Sequence, residues 1–226
     1  MDVLWGERPA PRRGPRPAFD RERIARAGIE IADREGLAAV TMQRVAESLG
    51  VTKMALYRYL PGKAELVALM VDIGIGAPPA PGGAGWREAL ALWARELFVR
   101  FHQHPWTLEA TRGARPVGPN ELGWMEVAVA ALAGSGLDGA ETLDTVVVLT
   151  GHVRALGEQT VAFGTVSAED PLTTGVQAIL AGREDRFPAV SAAFASAAAS
   201  GNQNQALDYG VDRILDGVAA LIASRR

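Results

Sequence analysis

The chain has 226 residues, of which 48% are hydrophobic and 22% charged, enough for one sizeable domain or two small ones. It has no cysteine, which excludes disulfides, thiolate nucleophiles and sulfur-ligated metal sites. No run of about 18 apolar residues is present and the Arg- and Pro-rich N-terminus lacks an apolar core, so we expect a soluble, cytoplasmic protein without membrane span or signal peptide.

Positive charge is concentrated at the N-terminal end, although the net charge is −3. Residues 1–63 contain 12 Arg or Lys and 8 Asp or Glu, a balance of +4, and the remainder contains 11 against 18, a balance of −7. This split indicates that the N-terminal end approaches nucleic acid. Alanine is abundant and aromatic residues make up only 6% of the chain, so we predict an all-α fold.

Residues 1–18 combine arginines with prolines and contain almost nothing to bury. We predict a disordered basic arm. Two interpretations stay open: a terminus that only improves solubility, or an arm that reaches phosphates or the adjacent minor groove.

A first helix is predicted over residues 21–35. Asp20 is a suitable N-cap, and Phe19 can pack on Ile24 as a hydrophobic staple. Gly36 ends this helix, whose apolar side offers a packing surface to the elements that follow.

Residues 41–60 predict two short helices joined by a tight turn. Thr41 is an N-cap, and apolar residues then recur at the i, i+3, i+4 and i+7 spacing of a half-buried helix. Gly50 ends that helix, and Thr52 caps a second one that stops before Pro61. Helices this short, joined by a glycine turn, cross steeply, as in a helix-turn-helix.

The second short helix directs Leu56 inward and leaves a basic and aromatic face outward. Lys and Arg suit phosphates or guanine edges, and a tyrosine hydroxyl can donate to phosphate. The predicted DNA-contacting residues are Thr41, Gln43, Arg44, Thr52, Lys53, Met54, Ala55, Tyr57, Arg58, Tyr59 and Lys63.

From Thr41 to Leu66, the run T-M-x-x-V-A-x-x-L-G-V-T-x-x-A-L-Y-x-Y-L-x-x-K-x-x-L resembles the DNA-binding signature of TetR-type repressors. An ordinary helical hairpin would explain the apolar positions and the glycine, but not the pattern of Tyr57, Tyr59 and Lys63 outside the core. The resemblance implies an N-terminal three-helix DNA-binding domain followed by a helical ligand-binding and dimerisation domain.

The predicted domain organisation follows from a proline- and glycine-rich loop at residues 77–85. The arm covers residues 1–18, the helix-turn-helix domain with a connecting helix covers 19–76, and the effector-binding and dimerisation domain covers 77–226. In this last domain we predict a loop over residues 165–175 and helices over residues 86–104, 106–111, 120–133, 139–164, 176–181, 188–199 and 205–224.

Two body helices, over residues 139–164 and 205–224, have apolar residues on more than one face. Surplus apolar surface on long helices predicts an interface, here a four-helix bundle between two chains. A twofold homodimer would present two recognition helices to the halves of a palindromic operator in double-stranded DNA. Gly157, Gly210 and Gly217 would either allow close helix approach or be tolerated defects.

The order of Trp86, His104-Pro105, Arg115-Pro116, Gly136 and Gly151-His152 resembles the effector domain of the tetracycline repressor branch of the family. That resemblance implies a small-molecule site, although tryptophan and leucine at helical spacing also suit a plain core. Thr111 stands where a metal-binding histidine would be expected, so we predict a metal-free, mostly apolar organic effector and no cofactor. The candidate effector-binding residues are Trp93, Leu97, Thr111, Arg115, Trp124, Val147 and Gly151.

The predicted function is a ligand-responsive repressor. No nucleophile–base pair, phosphate loop or acid pair in a plausible setting is present, so we do not expect an enzyme. The alternative is an activator or a ligand-independent regulator with a protein partner.

Overall fold

The computed structural model describes residues 2–6, 20–80, 85–163, 169–200 and 205–225, and all regular elements in these ranges are helical. The all-α prediction is therefore confirmed. None of the described helices is long and apolar enough to cross a bilayer. The helices are α1 (Asp2–Trp5), α2 (Arg21–Glu35), α3 (Met42–Ser48), α4 (Lys53–Tyr57), α5 (Lys63–Ile75), α6 (Trp86–Gln103), α7 (Trp106–Ala110), α8 (Pro119–Ala131), α9 (Gly139–Phe163), α10 (Glu169–Leu180), α11 (Pro188–Ser200) and α12 (Ala206–Ala223), with a 3-10 turn at Leu37–Ala39.

Packing divides the chain into two units, Met1–Ala133 and Gly134–Arg226. In the first unit α5 packs against α2 and against α6, α7 and α8. Its core contains Ile24, Leu56, Leu60, Leu66 and Met70, all fully buried. The helices α6 to α8 therefore pack with α5. The boundary between the two packing units, after Ala133, lies further along the chain than the domain boundary that we predicted between residues 76 and 77.

The second unit is organised around the packing of α12 on α9. Leu149 and Val153 of α9 and Leu215 of α12 are fully buried. Gly210 permits a close approach, because a Cβ built there would lie 2.2 Å from the imidazole of His152. That ring is held by a 3.2 Å contact between its Nε2 and the Leu207 carbonyl, so His152 has a structural partner.

Two sequence-based expectations need correction. Residues 2–5 form the helical turn α1, whereas a disordered arm was predicted over residues 1–18; residues 7–19, which carry its arginines, lie outside the described residues. Helix α10 begins at Glu169, inside the loop predicted over 165–175. Pro171 misled the prediction: in the first turn of a helix proline is tolerated, because a backbone N–H there would have no helical acceptor.

Candidate nucleic-acid interface

Local capping chemistry produces the two short helices. The Thr41 hydroxyl accepts from the Arg44 N–H at 3.2 Å, and the Thr52 hydroxyl accepts from the Ala55 N–H at 3.3 Å. Between them Gly50 has φ +67°, a left-handed conformation that L side chains rarely adopt. The caps and the glycine therefore fix the turn between α3 and α4 as the sequence predicts.

Helix α4 presents the outward face that we predicted. Leu56 is fully buried, whereas Lys53, Met54, Tyr57 and Arg58 are exposed, Met54 to 73%. The Lys53 ammonium lies 5.8 Å from the centre of the Tyr57 ring. Because a thioether and a phenol at the surface gain nothing from folding, this face suits a partner that offers phosphates and base edges.

The other predicted DNA contacts fall into two groups. Thr41, Gln43, Thr52 and Lys63 are exposed, although the Gln43 amide also donates to Glu47 at 2.7 Å. Ala55, Tyr59 and Arg44 are half-buried. Arg44 forms an ion pair with Glu35 at 2.7 Å and donates to the Ala39 carbonyl, so it also ties α3 to the end of α2.

Among the predicted effector-binding residues, the structure brings Trp93 and Trp124 together. Both side chains are buried, and their rings meet edge to face with centroids 5.9 Å apart. The Trp93 indole donates to the Trp124 carbonyl at 2.8 Å, and the Trp124 indole donates to the Gly76 carbonyl at 2.9 Å. Both N–H groups are thus used within the chain, so neither is available as a donor to a ligand.

The remaining candidates occupy different settings. Leu97 is buried, and the half-buried Thr111 donates from its hydroxyl to the Thr107 carbonyl at 2.7 Å. Arg115 forms a two-pronged ion pair with Glu121, with its Nη1 2.6 Å from Oε2. Its charge is therefore compensated inside the protein. The two candidates from the second unit, Val147 and Gly151, are exposed on α9.

Sequence reasoning missed Asp72, a buried carboxylate on α5. Its Oδ1 accepts from the backbone N–H groups of Asn120 at 2.8 Å and Glu121 at 3.2 Å, and the Asn120 amide donates to the Asp72 carbonyl at 2.9 Å. Asp72 therefore caps the first turn of α8 from another helix. Burial raises the pKa of Asp72, although the two backbone N–H groups lower it in part.

A raised pKa makes stability depend on pH. The folded state binds the proton more tightly than the unfolded state, so this contribution to the free energy of unfolding is complete below 3.8, the ordinary pKa of the carboxyl, and is lost as pH rises through the folded-state pKa. Relative to Asp72→Asn, the wild type should lose stability with rising pH, by at most about 1.4 kcal/mol per pH unit. Urea unfolding of both proteins across this range measures the difference. If the free energy of unfolding of the two proteins changed with pH in parallel, this prediction would be contradicted.

A short helix anchored by a buried leucine, with cations outward and a fixed glycine turn before it, defines a helix-turn-helix DNA-binding protein. The family model described as "Bacterial regulatory proteins, tetR family" matches residues 24–70, and the one described as "Tetracyclin repressor-like, C-terminal domain" matches residues 78–222. The chain belongs to the TetR family of transcriptional regulators, which confirms the resemblance seen in the sequence.

Similar proteins agree with this assignment. The chain is 32% identical to HTH-type transcriptional repressor DrrR1 of Streptomyces coeruleorubidus. The alignment extends over 239 residues and covers 100% of this chain and 87% of DrrR1. It is 28% identical to an HTH-type transcriptional regulator of Saccharopolyspora erythraea, over 94% of this chain and 90% of the relative. ActR of Streptomyces coelicolor in complex with actinorhodin has the same fold, with a TM-score of 0.73 and 24% identity over 89% of this chain and 96% of ActR.

Proposed function

We propose that the protein is a ligand-responsive transcriptional repressor that binds a palindromic operator as a homodimer. The observation that carries this proposal is the outward face of α4, where Lys53, Met54 and Tyr57 are exposed, together with the C-cap residue Arg58, beside the buried anchor Leu56. The relative DrrR1 is named a repressor, which supports repression as the direction of control.

The second unit supports the homodimer. On α9, Leu143, Val147 and Gly151 recur at i, i+4 and i+8 on one exposed face, with Val147 exposed to 62%. A Cβ built at Gly151 of α9 or Gly217 of α12 meets no atom within 4 Å, so neither glycine is required by packing within the chain. Alanine would favour the helix at both positions, whereas glycine allows two helices from different chains to approach closely.

A metal-free effector, mostly apolar and aromatic, fits the first unit. Trp93 and Trp124 place two aromatic rings in contact there, and the charge of Arg115 is compensated by Glu121. ActR, which shares the fold, forms a complex with actinorhodin, so a small-molecule effector is in keeping with this fold. We expect thermal stabilisation of this protein by apolar aromatic compounds, and none that depends on magnesium, with a melting screen with and without EDTA as the test.

The DNA-reading role predicts different outcomes for two cations. Arg58→Ala should change the sequence preference and weaken the operator complex by about 1–3 kcal/mol, because Arg58 is the exposed C-cap residue of α4. Lys63→Ala should weaken binding to all duplexes and reduce the slope of log affinity against log salt by about 1, as expected for a phosphate contact. Fluorescence anisotropy with DNA from upstream of the gene and with random duplex measures both.

A random duplex of the same length is the control in this experiment. Equal losses on operator and random DNA for both variants would contradict the division of roles. No preference of the wild type for any upstream sequence would contradict the proposed function itself.

A further inference from the structure

A carboxylate on α2 receives two hydrogen bonds from residues at the junction between α6 and α7. Asp33 lies in the last turn of α2, and its Oδ1 accepts from His104 Nδ1 at 2.8 Å and from the Trp106 indole at 2.7 Å. Because an ionised carboxylate only accepts, Nδ1 of His104 carries the hydrogen. The two donors flank Pro105, so Asp33 holds the turn between α6 and α7 from both sides.

The same turn is packed against the connecting helix α5. The His104 and Trp106 rings lie 5.9 Å apart, and a Cβ built at Gly74 of α5 would be 3.5 Å and 3.4 Å from them. Trp106, Thr107 and Leu108 are buried. The start of α7 therefore contacts α2 and α5 together. Thr111 is the C-cap of α7, and its N–H donates to the Thr107 carbonyl at 2.9 Å.

Asp33 is not needed for the core of the DNA-reading head, which we define as α2 to α4. That core contains Ile24, Ile31, Val45 and Leu56, and all four are buried. The side chains of Asp33 and His104 are 34% and 23% exposed. A contact between polar side chains exposed to this degree contributes little to folding, so the bond of Asp33 to His104 is better suited to orienting the head than to stabilising it.

We propose that Asp33 is a positioning residue for operator recognition, which fixes the DNA-reading head directly on α7. This inference rests on the proposed function and adds a specific route to it. A displacement of α7 by an effector near Thr111 moves both donors of Asp33 and so reaches α2 directly, in addition to any movement of α5. The carboxylate of Asp33 on α2 is bonded directly to the junction between α6 and α7. This contact gives the coupling between the effector site and the head a physical path.

The test uses the full-length protein, with anisotropy titrations on upstream DNA and on random duplex at the same salt concentration. Asp33→Ala should raise the operator dissociation constant about tenfold, within the usual range of coupling between sites. Trp106→Phe should act in the same direction, and the double variant should be no worse than Asp33→Ala, because both remove one interaction. Asp33→Asn keeps an acceptor and should lose less than Asp33→Ala.

Glu30→Gln is the matched control, since it removes one negative charge from an exposed position on the same helix. All variants should bind random duplex within about twofold of this control, because a folded but misoriented head still meets phosphates. Equal loss on operator and random DNA, or an unchanged operator affinity for Asp33→Ala, would overturn the inference. A wild type without preference for upstream DNA would instead refute the proposed function, and the inference with it.

A second measurement follows head orientation without DNA. The chain lacks cysteine, so Ser48→Cys at the exposed end of α3 gives a single spin-label site. In the homodimer, Asp33→Ala should broaden the label-to-label distance distribution, and Glu30→Gln should leave it unchanged. An unchanged width in Asp33→Ala would count against positioning by Asp33. Absence of any dipolar signal in the wild-type background would count against the dimer, and so against the proposed function.

Discussion

Gly118→Ala should lower the free energy of unfolding by about 3 kcal/mol, the upper end of the usual cost of overpacking. A Cβ at this position would lie 2.2 Å from Oδ1, 2.3 Å from Cγ and 2.7 Å from Cβ of Asp72. The carboxylate cannot swing aside cheaply, because its Oδ1 accepts from the backbone of Asn120 and Glu121. Relief therefore requires α5 and α8 to separate. Urea unfolding followed by circular dichroism measures the loss.

Gly85→Ala is the matched control, because both glycines are N-caps with negative φ. A Cβ at Gly85 meets nothing within 4 Å, so only the weaker capping propensity of alanine remains, at less than about 1 kcal/mol. A similar loss in both variants would show that the contact with Asp72 is not the cause.

Val147→Glu should convert the proposed dimer into a folded monomer and weaken operator binding at least about 100-fold, or about 2.8 kcal/mol. Val147 is exposed to 62% within its own chain, so the charge costs the monomer little. In an interface between two chains the same charge would be buried without a partner. Without the dimer, one recognition helix remains per complex instead of two. Sedimentation velocity measures the association state, and anisotropy measures the affinity.

Val99→Glu provides the same chemical change on α6, where the valine is exposed to 44%. It should leave both the association state and the operator affinity near those of the wild type. If Val147→Glu sedimented as the wild type does, the α9 face would not be the interface.

The helix-turn-helix is readable from sequence because its determinants are local. Thr41 and Thr52 each cap a backbone N–H three residues further on, and the turn between the helices depends on Gly50. An N-cap, a glycine and an apolar spacing lie within twenty residues, so no distant contact is needed to interpret them.

The hydrogen bonds that join helices are not readable in the same way. Asp33 meets Trp106 across 73 residues, and Asp72 meets Asn120 across 48. For Asp72 one signal was available: a single acid within the apolar run Leu69 to Ile75. A buried carboxylate needs partners, so such a residue predicts donors from another element, although not which ones.

The effector-site residues show a third case. The sequence singles out Trp93 and Trp124 as large apolar residues, but periodicity does not reveal that their N–H groups bond to the carbonyls of Trp124 and Gly76. Whether such a residue belongs to the core or lines a pocket depends on the direction of its side chain and on how the helices pack around it. Helical spacing alone determines neither.

Four indoles in the described part of the chain donate to acceptors far along the sequence: Trp5 to the Val117 carbonyl, Trp93 to the Trp124 carbonyl, Trp106 to Asp33 and Trp124 to the Gly76 carbonyl. Each joins a different pair of segments within the first unit. Because the fluorescence of an indole responds to its local polarity, the native emission spectrum is a label-free monitor of these junctions. Titrating compounds against that signal would report rearrangement of the connecting helix before any DNA is added.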